Sequence, residues 1–412
     1  MTLLLLLTVC IHAAVGLTKL TVEGRVEPLG LDETEPRFGW QIVADKKMVM
    51  QEGYQLQVST TPEDNGYVWD SGYVKSDSSQ WVSYKGSTLK PNTVYYWRVK
   101  IKTNRGKSGW SEWSKWTTGL LAEENWLGQW IGYDSITPDV RMEQHSRIAA
   151  RHLRKTFSVQ KPVKRATAHI CGLGYYLLHI NGRRIGDYLL APAPTQYDKA
   201  VIYDTYDVTN QCTNNAPCII DVTLAGGYFF PMTQNYQTNV RSAYGMPKLR
   251  MNLIVEYEDG TSETIATDDT WQIAFDGPVR YANIYDGTLV DYNCQPTAWM
   301  PVQVVEAPCP LLRGNSIGGV KAYKTEESIS CKPGGKGKYI LDFGTNNTGR
   351  IFLPSVTIGS GDTVSVRYAE TLKADGTLYT DNLRSAQSTD FFVGNGKAVD
   401  MTTEFLDSDT WR

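Results

Sequence analysis

Nearly every periodic segment of this chain alternates apolar and polar residues with period two, and clusters of Gly, Pro or Asn close each one. Tyr54-Gln-Leu-Gln-Val58 and Tyr96-Trp-Arg-Val-Lys-Ile101 show the pattern. Side chains two apart share one face of a strand, so a chain of this kind builds antiparallel sheets with one face on a core. No stretch of a dozen residues keeps a helical stripe free of Gly and Pro, apart from the weakly apolar 140–153, so helical domains are absent or peripheral. With 412 residues a single core cannot serve, because cores stop growing well below that size. The expected fold is all-β, with three consecutive β-sandwich domains.

The formal net charge is -3, and the 41 Lys and Arg are spread without blocks. Such a chain has no electrostatic footprint for nucleic acid or an anionic membrane. Its 24 Tyr and 12 Trp suit strands, and large aromatics also stack on sugar rings. Residues 1–16 carry an apolar run too short to span a bilayer, which reads as a secretory signal peptide cleaved near Ala14 or Gly16, hence a secreted protein. The alternative is a short buried strand. No other segment approaches membrane-spanning length.

Removal of Cys10 with the leader would leave six cysteines. Cys212 and Cys218 flank the turn-forming Thr213-Asn-Asn-Ala-Pro217, a loop tight enough for a local disulfide in an oxidising compartment. A Cys/His metal site has little support. No Cys-x-x-Cys occurs, and His145, His152, His169 and His179 stand at no ligand spacing. His169 and His179 lie in strand-like sequence and read as packing residues.

Three blocks follow the leader. In the first, 17–119, the run Leu89-Lys-Pro-Asn-Thr-Val-Tyr-Tyr-Trp-Arg-Val99 resembles the corner of a fibronectin type III domain, where a tyrosine hydroxyl ties the corner to upstream backbone. Tyr95 or Tyr96 is that residue. Trp110, Trp113 and Trp116 alternate poorly for a binding ladder and read as packing aromatics. The second block, 126–301, contains Tyr175-Tyr-Leu-Leu-His-Ile180 and a strand ending at Tyr257, followed by the tight turn Glu258-Asp-Gly-Thr261. The third, 302–412, repeats the pattern with Tyr339-Ile-Leu-Asp-Phe343 and Thr363-Val-Ser-Val-Arg367.

Long ordered sets of residues carry a further likeness. Gly172-Leu-Gly-Tyr-Tyr176, Ile180-Asn-Gly182, Thr195-Gln-Tyr197 and Tyr203-Asp-Thr-Tyr-Asp-Val208 resemble the N-terminal, carbohydrate-binding-module-like jelly roll of bacterial-type α-L-rhamnosidases. Asp342-Phe-Gly-Thr-Asn-Asn-Thr-Gly349 and Arg367-Tyr-Ala-Glu-Thr-Leu372 are similar to the concanavalin-like sandwich of the same enzymes. Pro36-Arg-Phe-Gly-Trp40 and Trp69-Asp-Ser-Gly72 fit their fibronectin-like module.

The resemblance implies inverting hydrolysis of terminal α-L-rhamnose by two carboxylates on an (α/α)6 helical barrel that follows the sandwiches. It therefore implies rhamnose-containing glycans and a C-terminal catalytic domain as partners. The barrel's acid-rich motif, of the type D-x-x-Q-R-D-E-R-x-G-W, does not occur here, so no catalytic residue is assigned. The ending Leu406-Asp-Ser-Asp-Thr-Trp-Arg412 falls where the family's third sandwich would continue, which reads as a fragment. Some members carry a calcium-dependent rhamnose-binding module in the second sandwich. That likeness implies sugar contacts at Asn181, Gly182, Tyr228 and Asp286, and a calcium ion held by Asn181, Asp286 and Asp291. Calcium takes six to eight oxygens, whereas Leu224-Ala-Gly-Gly-Tyr228 offers glycines where the family's second polar pair would lie. The alternative function is a free-standing carbohydrate-binding or adhesion protein.

Overall fold

The computed structural model describes residues 15–134, 148–212, 217–230, 244–309, 311–384, 386–403, 405 and the backbone of 408–411. The expected leader lies outside the described residues up to residue 14; Gly16 already opens a strand. Helix is confined, among the described residues, to three single 3-10 turns, and no helix is long and apolar enough to cross a membrane. The chain divides into two compact units, 1–125 and 126–412.

In the first unit a three-stranded sheet, Gly16–Val22, Arg37–Val43 and Val82–Ser83, and a five-stranded sheet centred on Gln51–Ser59 and Val94–Thr103 share one core. Along Val94–Thr103 the side chains of Tyr95, Trp97, Val99 and Ile101 are buried, while those between them are more open. Period two thus sorts the faces as the sequence requires. Phe38 sits between Trp97 and Trp116, with ring centroids 4.7 and 5.5 Å away. Tyr95 is the corner residue: its hydroxyl accepts the Lys90 N–H at 2.8 Å.

The tryptophans after this strand are packing residues. Trp116 is fully buried. Trp110 and Trp113 each lie 4.5 Å from the Arg98 guanidinium, a cation held over aromatic faces. From Ser108 to Trp113 the chain is not a strand: Ser108 and Ser111 donate their N–H groups to Ile101 O and Val99 O, but their hydroxyls, and not backbone carbonyls, accept from Ile101 N and Val99 N.

The second unit holds a larger sandwich. Its six-stranded sheet runs in the order Arg183–Arg184, Tyr175–Ile180, Pro217–Ala225, Arg151–Ser158, Gln272–Ala274, Met300–Pro301. The facing sheet is built on Val163–Leu173 and Lys248–Tyr257, paired antiparallel from Ala166↔Val255 to Leu173↔Lys248. Ile170, Leu178, Ile220, Val222, Leu253 and Trp271 fill the space between them. The Glu258–Thr261 turn forms as expected, with Gly260 at φ +81° and Asp259 Oδ1 accepting the Thr261 N–H.

The boundary expected near 301 is not where the sheets divide. Leu312–Gly314 returns to pair in parallel with Val201–Asp207 of the large sandwich. In the other direction, the hairpin Val279–Asn283 and Gly287–Asp291 leaves that sandwich for a four-stranded sheet with Thr389–Val393 and Thr363–Arg367. Leu289 pairs in parallel with Phe391. The small core of this third block gathers on Ile358, Phe392 and Met401.

Candidate functional site

Asn181 and Gly182 form the two-residue turn between Tyr175–Ile180 and Arg183–Arg184, at φ +53° and +73°. Both central residues need positive φ in this hairpin type, which is why Asn-Gly stands there. The Asn181 side chain is spent on the fold: its Nδ2 donates to Gln211 O at 3.1 Å and its Oδ1 accepts from Ile219 N at 2.8 Å. Tyr228 and Asp286 lie beyond the opposite end of the neighbouring strand. Ile219 and Ala225 are six residues apart on Pro217–Ala225, a separation of roughly 20 Å at about 3.4 Å per residue.

That separation corrects the expected calcium set. Asn181 cannot share an ion with Asp286 and Asp291, and for the same reason Asn181 and Gly182 cannot share one sugar with Tyr228 and Asp286. Among the described residues no three His, Cys, Asp or Glu side chains gather as a metal would require. Asn181, Asp286 and Asp291, each in its own turn, therefore do not form one calcium site.

Tyr228 and Asp286 do come to the same region. Gly227 N donates to Ala282 O at 3.1 Å, and Tyr228 packs with Tyr175, Leu177 and Ala282. Asp286 is fully buried in the turn of the hairpin. Asn283 organises that turn: its Oδ1 accepts the N–H groups of Tyr285 and Asp286, and its Nδ2 donates to Asp286 Oδ2 at 3.1 Å. Gly287, at φ +106°, lets Thr389 O come within 2.0 Å of where a Cβ would stand. Asp291 closes the far end of the hairpin, with Oδ1 accepting from Asn293 N and Nδ2, both at 2.9 Å. Partial burial pushes its carboxyl up, and the Asn293 hydrogen bonds outweigh that and hold it below the ordinary value. Both aspartates are turn carboxylates.

Two further acids, Asp390 and Asp204, are buried. Asp390 accepts from Tyr368 Oη at 2.6 Å and from Thr288 N at 3.0 Å. Burial raises its pKa to about 6, against the opposing pull of Tyr368, Thr288 and Thr403. Asp204 accepts from Tyr176 Oη and from Asn315 Nδ2, each at 2.7 Å, and Tyr206 Oη lies 3.0 Å from Tyr176 Oη. Burial raises this carboxyl too, opposed by Asn315 and Tyr176. One signal was available: Asp204 follows inward Tyr203 directly and so breaks the alternation of its strand. His169 packs in the same sheet, with Nδ1 3.0 Å from Thr205 Oγ1, and burial lowers its pKa to about 3, so it is neutral. Both acids are fully buried, and what they do is accept hydrogen bonds that tie neighbouring segments together.

The expected Cys212–Cys218 disulfide is not formed. Both residues are buried, unbridged thiols of the large core, and burial, with Cys218 nearby, pushes the Cys212 thiol up to about 12. A thiol held neutral in apolar surroundings behaves as a small apolar side chain.

With this architecture described, likeness to known proteins is specific. Residues 17–122 match the Rha78A-like N-terminal immunoglobulin domain, 161–314 the alpha-L-rhamnosidase N-terminal domain, and 333–407 the bacterial alpha-L-rhamnosidase concanavalin-like domain. An alpha-L-rhamnosidase of Alteromonas sp. (strain LOR) is 33% identical over 390 residues, 90% of this chain and 42% of that protein. One from Formosa agariphila is 30% identical over 400 residues, again covering 42% of that protein. The structure of alpha-L-rhamnosidase from Dictyoglumus thermophilum superposes with a TM-score of 0.85 at 30% identity, over 96% of this chain and 46% of that one. The molecule is thus a series of all-β domains of the kind found in carbohydrate-active proteins. It belongs to the N-terminal region of the bacterial α-L-rhamnosidase family, and it spans less than half the length of the curated relatives named here.

Proposed function

We propose that this chain is the non-catalytic N-terminal part of an exported α-L-rhamnosidase, a scaffold for a separate helical-barrel domain that removes terminal α-L-rhamnose from rhamnose-containing glycans. The observation that carries the reading is the uncovered third block. Tyr323 is 94%, Tyr339 72%, Ile329 71% and Phe352 54% exposed, in a chain equivalent to 42% of its Alteromonas relative. We take these exposed apolar side chains, spread over several ribbons of one block, as the face that a further domain covers.

The acids support the same reading. Inversion needs two carboxyl groups roughly 6.5–9.5 Å apart in an open cleft, with a water between them. Asp204, Asp286 and Asp390 are instead sealed in the fold as hydrogen-bond acceptors.

The test is release of aryl alcohol from an aryl α-L-rhamnoside by the purified chain. We expect none above the blank, and turnover by this chain alone would overturn the proposal. Calorimetry with L-rhamnose, with and without a chelator, checks sugar contact by the second sandwich. Equal and negligible heats leave scaffolding as its whole role.

A further inference from the structure

Trp81 stands apart from the other tryptophans of the first unit. It follows Gln80 at φ +57°, a left-handed conformation that L side chains rarely adopt, and its side chain is 56% exposed. Burial therefore recovers little of what this backbone costs. The indole is nevertheless held in place. The Arg37 guanidinium lies 4.5 Å from its ring centroid, and Arg37 is itself fixed by Glu23, with Nε 3.1 Å from Oε1 and Nη2 2.6 Å from Oε2. Gly24 lies at the ring's edge: a Cβ there would stand 3.7 Å from Trp81 Cη2.

This braced ring is one wall of a groove of about 270 Å3. Lys19, Thr21, Gln41 and Gln80 bring polar side chains to it. Phe38 and Trp40 also border it, but they are buried in the core, so a single aromatic surface faces the occupant. Gly39 brings the walls together, since a Cβ there would meet Thr21 Oγ1 at 2.7 Å. Lys19 makes no ion pair among the described residues, whereas the charge of Arg37 is met by Glu23.

We infer that this groove is a carbohydrate-binding site for an acidic, uronate-containing glycan, separate from anything in the second sandwich. The apolar C–H face of a pyranose matches one exposed indole, and its hydroxyls match the two glutamine amides. The unpaired Lys19 ammonium adds a charge-assisted bond to a ring carboxylate. A proline-rich peptide, by contrast, docks against several exposed aromatics, whereas only Trp81 is exposed here.

Affinity electrophoresis of the full chain in gels containing polygalacturonate tests the inference, with neutral β-1,4-galactan as the control. The wild-type chain should be retarded by polygalacturonate and several-fold less by galactan. Trp81→Gly should abolish retardation while the melting temperature stays level or rises, because glycine suits the φ of that position. A purely structural tryptophan would instead show a lowered melting temperature. Lys19→Gln and the double variant Gln41→Ala/Gln80→Ala, all at exposed positions, should each weaken retardation several-fold. Wild-type mobility unchanged by polygalacturonate, retardation fully kept in Trp81→Gly, or equal retardation by the neutral polymer would each overturn it.

Discussion

The second sandwich and the third block follow the same alternating pattern, yet one covers both faces of its strands and the other does not. In Val163–Leu173 the last eight residues are all buried, whereas Thr363–Arg367 and Phe352–Thr357 never bury a residue fully. The difference lies in what covers the outer face. In the second sandwich the segment from Trp126 lies over it: Gly128 N donates to Asn252 Oδ1 at 2.8 Å, Arg250 Nε donates to Gly128 O, and Trp126 meets Tyr203 edge-on. Buried polar groups there find partners in the covering loop, as burial demands. The third block has apolar side chains on its ribbons with nothing comparable over them among the described residues. Alternation therefore locates strands, but the completeness of a sandwich depends on segments that do not alternate.

The comparison breaks or holds first on core truncation. Leu253 lies at the centre of the large core with no exposed surface, so Leu253→Ala should cost about 2–5 kcal/mol in urea unfolding. A loss below 1 kcal/mol would mean that the second sandwich is no better packed than the third block.

Much of this was legible in the residues themselves. The corner tyrosine could be narrowed to Tyr95 or Tyr96, because the proline-containing run before it and the alternating strand after it place the corner locally, and the Lys90 N–H selects Tyr95. Asn181-Gly182 was equally readable as a turn, since positive φ at two successive positions selects that dipeptide. Its function was not readable: the same carbonyl that could face an ion is consumed by Ile219 N, 38 residues away. Nor was the transfer of the Val279–Asp291 hairpin to another sheet, because its partner strand lies about a hundred residues on and pairs in parallel. Local alternation carries no information on such pairing. The two cysteines were close in sequence, and proximity suggested a bond where burial gives two thiols.

A second effect, of order 1–3 kcal/mol, concerns the joint between hairpin and third block, where each pKa unit is worth about 1.4 kcal/mol. Asp390 titrates near 6 in the fold and near 3.8 when ordinary, so the folded state binds the proton more tightly. Its contribution to stability is fully present below about pH 4 and is lost as the pH rises to about 6. Asp390→Asn keeps an acceptor for Thr288 N and does not titrate. The stability difference, wild type minus variant, should therefore fall between pH 4 and 6 and stay level above. A difference that rises across that window would show that the joint stabilises the carboxylate rather than the acid.

The smallest expected effect is the sharpest test of what the third block is for. Phe352 points out from Phe352–Thr357 and is more than half exposed, so its ring gains little from the fold of this chain. Phe352→Ser should change unfolding stability here by less than about 0.5 kcal/mol, as surface substitutions do. If the exposed ribbons are a seat for a further domain, the same substitution in a longer protein containing that domain should cost about 1–3 kcal/mol, because the ring would then be removed from water on both sides. Equal, small effects in both would mean that the face stays open in the whole protein. A large effect in this chain alone would mean that its block is already closed, and that the contrast with the second sandwich is one of side-chain orientation and not of cover.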